Sequence, residues 1–482
     1  MGVETVKRDL VCVVGWGRSG RGAAHALAER GSRVIAFDQA ERTDTEPVDG
    51  VEVRVVPDAS DLADQVVATG CDLVVVSPGV PPHTPVFARA GRAGIPLWGE
   101  VELAWRLQEE GPHAGRPWLC VTGTNGKTTT TGMLGSILRA AGEDAVEVGN
   151  IGTPITRLID SPASVFAVEL SSFQLATTST MSPEASICLN VDADHIDWHG
   201  SVEAYAASKA RVYHLTRRAC VYPAQDARIE KMVEGADVIE GARAVGVTLR
   251  VPDVSQVGLV EDSLVDRAFL DTRRHEALHL ATLADLDHIT GGHPSPAIVS
   301  DALAAAALAR AHGVPPESVA EGLRAFSPAA HRRAVVGHVA DLTWIDDSKA
   351  TNAHAAVASL VGIPEGTAVW IAGGDAKGQE FDDLVTRVAP RLRGVVLIGA
   401  DRAPIRESLA RCAPGIPVVE VDAHEDWMFS VVNEAVGLSR PGDTVDLAPA
   451  CASWDQFDNY GQRGDAFVEA VRRLGEQWGD AR

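Results

Sequence analysis

The sequence predicts an α/β protein of three domains built on parallel sheets. Short runs of Val, Ile, Leu and Ala, closed by Gly, Ser or Asp, alternate with helix-patterned stretches from one end to the other, the mark of strand–helix–strand units. At 482 residues the chain exceeds what one hydrophobic core supports. Linker-like composition interrupts it at Glu109-Glu110-Gly111-Pro112-His113-Ala114-Gly115-Arg116-Pro117 and, more weakly, at Ser327-Pro328-Ala329-Ala330. Domains are therefore expected over residues 1–110, 111–330 and 331–482. Strands are expected near 11–14, 34–38, 73–76, 118–122, 165–170, 187–190, 368–372, 395–398, 418–421 and 444–447.

Composition narrows the function classes. A formal charge of -23 with no run of Lys or Arg argues against a nucleic-acid surface, because releasing counterions from nucleic-acid phosphates requires clustered positive charge. An acidic chain that handles phosphates must concentrate positive charge locally, at helix N-termini, single lysines and divalent metal. The seven cysteines include no Cys-x-x-Cys pair, and Cys12, Cys120 and Cys188 lie in or beside apolar strand-like runs, so buried reduced thiols are expected. The stretch from Met1 to Asp9 is charged and leads straight into a strand, unlike a secretory signal. No stretch approaches ~18 consecutive apolar residues. A cytoplasmic protein without membrane partners is the expectation.

Motifs follow in chain order. Val14-Gly15-Trp16-Gly17-Arg18-Ser19-Gly20 follows the first strand, and Asp38 ends the next. Glycines there let the backbone turn sharply and approach a diphosphate at a helix N-terminus. A nicotinamide cofactor, a nucleotide-sugar diphosphate and an empty tight turn all satisfy that spacing. Gly123-Thr124-Asn125-Gly126-Lys127-Thr128-Thr129 is more specific, lying between an apolar strand and a helix-like stretch at 131–141. Its backbone N–H groups can cradle phosphates, Lys127 can bridge the β- and γ-oxygens, and the Thr128 hydroxyl can ligate Mg²⁺. It is a shortened phosphate loop, with two residues between its glycines. Glu169 ends an apolar strand, the sheet edge at which a carboxylate can hold a metal beside that loop.

Three further segments carry chemistry-bearing residues. Asn190-Val191-Asp192-Ala193-Asp194-His195-Ile196-Asp197-Trp198-His199 is dense in metal or base candidates, and an acidic solvated loop accounts for it equally; Asn150 is comparable. Trp344-Ile345-Asp346-Asp347-Ser348-Lys349-Ala350-Thr351-Asn352 reads as a strand running into a helix start, and Gly373-Gly374-Asp375-Ala376-Lys377-Gly378 reads the same way. Helix N-termini bind carboxylates and phosphates, and simple capping is the alternative. In Ala450-Cys451-Ala452-Ser453-Trp454-Asp455-Gln456-Phe457, Cys451 reads as a packed thiol rather than a nucleophile. Residues 223–300 carry no readable chemistry before an alanine-rich helix expected at 301–312.

Taken in order, Gly-Thr-Asn-Gly-Lys-Thr-Thr, Glu-Leu-Ser-Ser-Phe-Gln-Leu, Asp-His-x-Asp, His-Arg, Asp-Ser-Lys-Ala-Thr-Asn and Pro-Ala-Cys-Ala-Ser-x-Asp-Gln-Phe resemble the Mur ligase family across all three expected domains. The last two segments resemble its D-glutamate-adding branch. The resemblance implies a Rossmann-like N-terminal domain, a central P-loop ATPase-like domain and a Rossmann-like C-terminal domain. It also implies ATP-dependent joining of D-glutamate to UDP-N-acetylmuramoyl-L-alanine through an acyl phosphate, by a monomer.

Residue roles come from the same resemblance. It puts Lys127, His195 and Lys209 at catalytic positions, and Gly123, Thr124, Asn125, Gly126, Thr128, Thr129, Arg332 and Asp347 at ATP. Two Mg²⁺ sites are implied, with Thr128 and Glu169 at the first and His195 and Lys209, the latter as a CO₂-derived carbamate, at the second. Arg18, Ser19, Asp38, Ser77, Gly79 and Asn150 fall at positions for the UDP-substrate. Lys349, Thr351, Lys377, Ser453 and Tyr460 fall at positions for D-glutamate, Tyr460 standing where Phe is common. Gly291-Gly292-His293-Pro294 departs from the family's Gly-x-His-Asn, and residues 223–330 contain no asparagine. A nicotinamide oxidoreductase leaves the Lys127 loop without a task; a non-catalytic nucleotide-binding regulator is the other alternative.

Overall fold

The computed structural model describes residues 8–41, 47–192, 194–290, 294–328 and 331–480. Within the described residues, twenty strands form three sheets. The first contains β1 (Leu10–Val14), β2 (Arg33–Asp38), β3 (Glu52–Val55), β4 (Leu73–Val76) and β5 (Leu97–Gly99), in the order β3-β2-β1-β4-β5. All its pairings are parallel. Its central strands are buried on both faces, which is why 11–14 and 73–76 read as unbroken apolar runs.

The second sheet contains β6 (Trp118–Thr122), β7 (Ala145–Gly149), β8 (Val165–Glu169), β9 (Ala185–Cys188), β10 (Ala219–Pro223), β11 (Arg243–Val247), β12 (Gln256–Val260), β13 (Ser263–Asp266) and β14 (Leu278–Thr282). Its order is β14-β13-β12-β11-β10-β9-β6-β8-β7. Pairings from β7 through β12 are parallel, and β12–β13 is an antiparallel hairpin. The third sheet contains β15 (Ala334–Val339), β16 (Leu342–Asp346), β17 (Ala368–Gly373), β18 (Leu392–Ile398), β19 (Val418–Glu420) and β20 (Thr444–Leu447). Its order is β15-β16-β20-β17-β18-β19, parallel apart from the β15–β16 hairpin.

The chain forms two compact units, Met1–Ala281 with Asp301–Leu323 and Thr282–Ser300 with Arg324–Arg482. The first two sheets share a unit because a buried helix, Glu100–Glu110, sends carboxylates from one into the other. Glu102 accepts N–H bonds from Ser179 and Thr180 at 2.7 and 3.0 Å and pairs with Arg106 at 2.7 Å. Glu100 accepts from the Thr156 N–H and hydroxyl at 2.9 and 3.0 Å.

All ten expected strands are present, those at 73–76, 118–122 and 444–447 with the expected ends and the other seven with shifted ones. The strand expected at 187–190 is β9, which ends at Cys188, because Tyr213 Oη accepts the Cys188 N–H and Asn190 turns its side chain to the phosphate loop. The alanine-rich helix is Pro296–His312, five residues longer at its start than the expected 301–312, with Pro in its first turn where no N–H is needed. Likewise the helix expected from 131 begins at Lys127. Residues 374–381 are loop rather than helix start; the next helix is Asp382–Val388. Ala193, Gly291, Gly292, His293, Ala329 and Ala330 lie outside the described residues.

Candidate active site

In the first unit, the phosphate loop leaves β6 at Thr122 and enters the helix Lys127–Ala140 at Gly126. Asn190 Oδ1 accepts the N–H groups of Thr124 and Asn125 at 2.9 and 2.8 Å, which fixes the loop's shape. Lys127 Nζ donates to the carbonyls of Gly123 and Thr124 at 2.8 and 2.9 Å, so the ammonium is held over the loop. Thr129 follows in the helix's first turn. Thr128 Oγ1 donates to Glu169 Oε2 at 2.5 Å, and Asn150 Nδ2 donates to Glu169 Oε1 at 2.8 Å. Glu169 is 1% exposed at the end of β8. A hydroxyl and a carboxylate beside a phosphate cradle are oxygen donors suited to Mg²⁺, which commonly completes its shell with substrate phosphates and water. Among the described residues, no cluster of three or more His, Cys, Asp or Glu side chains that could hold a metal ion occurs.

Lys209, in the helix Val202–Ala210, is 1% exposed. Its Nζ donates to the Gly123 carbonyl at 2.7 Å and lies 4.6 Å from the Tyr205 ring centroid. Burial, and next the Lys127 charge, push its pKa down to about 7. His195 caps a short helix in left-handed conformation, φ 53°, with its ring centroid 4.7 Å from Phe173 and 6.4 Å from Tyr205. Tyr205 thus touches both expected metal-site side chains, and its hydroxyl lies 3.0 Å from Thr124 Oγ1. Sequence reasoning did not select Tyr205; a helical tyrosine carries no signal until its neighbours are known. Asp301 was missed as a site residue too. It is buried, accepts from Thr130 Oγ1 at 3.1 Å, and desolvation pushes its pKa up to about 8.

A cavity of about 390 Å³ opens where β1 and β4 end, and Arg18, Ser19, Asp38, Ser77, Gly79 and Asn150 all line it. Gly20 has no alternative: a Cβ there would stand 1.9 Å from the Gly15 carbonyl oxygen. Ser77 Oγ donates to that same carbonyl at 2.6 Å. Asp38 accepts main-chain N–H groups from Trp16 at 2.7 Å and Ala40 at 3.1 Å, so its carboxylate fixes the glycine turn. Asn150 belongs both to this cavity and to the Glu169 contact.

In the second unit, three loops leave the adjacent strands β16, β20 and β17. Asp375 and Ala452 exchange main-chain bonds at 2.9 and 3.0 Å, and the Ala450 N–H donates to the Ala350 carbonyl at 2.8 Å. Gly374, φ 135°, permits the approach, since a Cβ would stand 2.2 Å from the Ala452 carbonyl oxygen. Lys349 Nζ lies 4.1 Å from the Tyr460 ring centroid, and Lys377 Nζ 4.7 Å from that of Trp454. Ser453 is 2% exposed, and its Oγ has no hydrogen-bond partner among the described residues. The Thr351 N–H donates to the Lys349 carbonyl at 2.7 Å, one residue before Asn352 caps the helix Ala353–Leu360.

Arg463 ties the loops after β16 and β20 together, donating to Ser348 Oγ, the Ser348 carbonyl and the Cys451 carbonyl at 2.8–3.2 Å. It is 1% exposed, and desolvation lowers its pKa to about 10. In sequence it is one arginine among several in a long helix, so nothing marks it. Asp347 is buried, accepts the Arg333 N–H at 3.3 Å, and desolvation pushes its pKa up to about 6. Arg332 is half-buried, and no hydrogen bond or ion pair to its guanidinium occurs among the described residues.

Three family descriptions match the chain in order: "Mur ligase MurD-like, N-terminal domain" at residues 9–99, "Mur ligase middle domain" at 121–245 and "Mur ligase, glutamate ligase domain" at 331–451. The chain belongs to the Mur ligase family. Among curated Mur ligases, the UDP-N-acetylmuramoylalanine--D-glutamate ligase of Streptomyces avermitilis is 52% identical over 474 residues, covering 96% of this chain and 98% of the relative. That of Streptomyces coelicolor is 50% identical over 475 residues, with the same coverage. A pseudomurein peptide ligase type C from Methanothermus fervidus shares the fold with a TM-score of 0.55 at 17% identity, covering 97% of this chain and 99% of that one. As a Mur ligase, the chain has the three-domain architecture expected, one sheet to each domain.

Proposed function

We propose that this Mur ligase joins D-glutamate to UDP-N-acetylmuramoyl-L-alanine with ATP, forming ADP and phosphate, in peptidoglycan precursor synthesis. One observation carries the mechanism. Asn150, on the wall of the nucleotide-sized cavity, hydrogen-bonds Glu169, which hydrogen-bonds Thr128 of the phosphate loop. A UDP-linked substrate seated in that cavity would bring its far end toward the γ-phosphate. A nicotinamide enzyme has no use for that link.

In the first step the substrate carboxylate attacks the γ-phosphorus and ADP leaves, giving an acyl phosphate. In the second the D-glutamate amine attacks the acyl carbon, loses a proton and displaces phosphate. The first step brings two anions together, at a cost of about 4 kcal/mol for unit charges ~4 Å apart at an effective dielectric of ~20. Lys127 and the loop N–H groups of Gly123 to Thr129 offset that repulsion, and Arg332 and Asp347 are assigned to ATP phosphates and ribose. Thr128 and Glu169 would hold one Mg²⁺ and His195 and Lys209 a second, and the ions would supply further charge neutralisation. An ammonium cannot ligate a cation, so Lys209 is proposed to react with CO₂: neutral Nζ attacks the carbon and loses a proton, leaving an anionic carbamate. Its burial and the lack of an ion pair to it among the described residues support that role.

Arg18, Ser19, Asp38, Ser77 and Gly79 would hold the UDP moiety. The two carboxylates of D-glutamate would meet Lys349, Thr351, Lys377 and the unpartnered Ser453 hydroxyl, beside Tyr460. The sheets support boundaries near 110 and 330, since β5 ends at Gly99, β6 starts at Trp118 and β15 starts at Ala334. Seven unpaired cysteines suit a reducing cytoplasm, and we propose a monomer there.

Phosphate release should require ATP, UDP-N-acetylmuramoyl-L-alanine and D-glutamate together, and should stop when any is omitted. Turnover with L-glutamate in place of the D-isomer would overturn the acceptor assignment. Removing dissolved CO₂ should slow turnover and bicarbonate should restore it; indifference to both would remove the carbamate.

A further inference from the structure

The second sheet has two edges, and the phosphate loop uses only one. Strands β9, β10 and β11 run parallel to β6, so their N-terminal ends lie at the opposite edge, about 15 Å away for five-residue strands. A cavity of about 290 Å³ opens there, bordered by Arg217, Arg218, Arg243, Glu240 and Phe269. In a chain of net charge -23, three arginines meet one exposed glutamate.

The three guanidinium groups differ in what they already bind. Arg218 pairs with Glu184 at 2.8 Å and donates to the His312 carbonyl at 3.2 Å. Arg243 donates to the Ala268 carbonyl at 3.1 Å and lies 5.3 Å from the Phe269 ring centroid, leaving donors over. Among the described residues, Arg217 is hydrogen-bonded only through its main chain, whose N–H donates to the Pro183 carbonyl at 2.9 Å. Its Nε is buried and has no hydrogen-bond partner, and no ion pair to its guanidinium occurs among the described residues.

A buried donor without an acceptor is costly, and native structures leave few of them. A guanidinium presents parallel N–H groups that match two oxygens of a phosphate. We propose that this cavity binds a small phosphate-bearing anion, distinct from the ATP substrate, with Arg217 as its principal ligand and Arg243 as its second. Glu240 at the rim opposes the anion's charge but is outnumbered.

Inorganic pyrophosphate is the probe, titrated calorimetrically without magnesium into full-length Lys127→Ala protein, whose phosphate loop is disabled. Binding should be present there, weakened at least about tenfold by adding Arg217→Ala, and less by adding Arg243→Ala. Arg217→Lys, which keeps the charge, should retain part of the affinity and controls for misfolding, as does the circular dichroism of each variant. Absence of binding in the Lys127→Ala parent, or binding indifferent to Arg217→Ala in a folded protein, would overturn the proposal. Arg217→Ala alone should leave basal ligation unchanged.

Discussion

The phosphate loop and the three-loop cluster of the second unit both stand at the C-terminal edge of a parallel sheet, yet they hold their lysines differently. Lys127 and Lys209 are bonded to main-chain carbonyls of one short loop, itself fixed by Asn190. Lys349 and Lys377 lie against the aromatic rings of Tyr460 and Trp454. A carbonyl cage sets a charge within tenths of an ångström; a ring face tolerates sliding. Under the proposed roles, rigidity would accompany the polyphosphate, which every cycle presents alike, and tolerance the flexible amino acid.

Breaking the caged side should have the largest effect. Lys127→Ala is expected to lower kcat for three-substrate phosphate release about a thousandfold, the scale of removing a main transition-state charge contact. An effect confined to KM for ATP would show that the lysine only binds.

Arg463→Met tests whether the second cluster depends on one buried cation. The Ser348 and Cys451 carbonyls would lose their donor, so destabilisation of about 3 kcal/mol is expected in urea unfolding, with a raised KM for D-glutamate. Stability near wild type would mean the loops hold themselves.

Asp301 lies under the phosphate loop with its pKa pushed up to about 8 by desolvation, from an ordinary 3.8. A folded-state value above the unfolded one means that this stability is fully present below the unfolded value and lost as pH rises through the folded one. Asp301→Asn keeps an acceptor for Thr130 and removes the titration. Its melting temperature should therefore fall less than wild type's between about pH 4 and pH 8, read by calorimetry.

The smallest change belongs to the ring-held side. Trp454 is 72% exposed, so Trp454→Ala should cost about 0.5–1 kcal/mol, a roughly two- to fivefold rise in KM for D-glutamate with kcat near wild type. A collapse in kcat would make the ring part of the reacting geometry.

The same contrast explains what was legible in the sequence. The phosphate loop is contiguous, and β6, β8 and the loop between β6 and its helix announce themselves by apolar runs and glycines. The second cluster is assembled from strands neighbouring in space but distant in sequence, so its two lysine segments could be read only as separate helix starts, and their D-glutamate role came from family resemblance alone. The edge strand β3 escaped for a local reason: Glu52–Val55 is mostly exposed and has no apolar run. Lys209 reads as a solvated helical lysine until burial is known, and Arg463 as a surface arginine. His195 could be named but not oriented, because its left-handed backbone follows from packing against Phe173.

Arg463 has a consequence for how such an enzyme could change its acceptor. The three loops are exchangeable without touching β16, β17 or β20, but two of them meet at one guanidinium that reads only main-chain carbonyls and a serine, and the third joins them through the Asp375–Ala452 main-chain pair. Evolution, or an engineer, could redraft the loop tips residue by residue while that shared clasp keeps them in mutual register. Selectivity for the incoming amino acid would then drift through small, survivable steps instead of requiring a new scaffold.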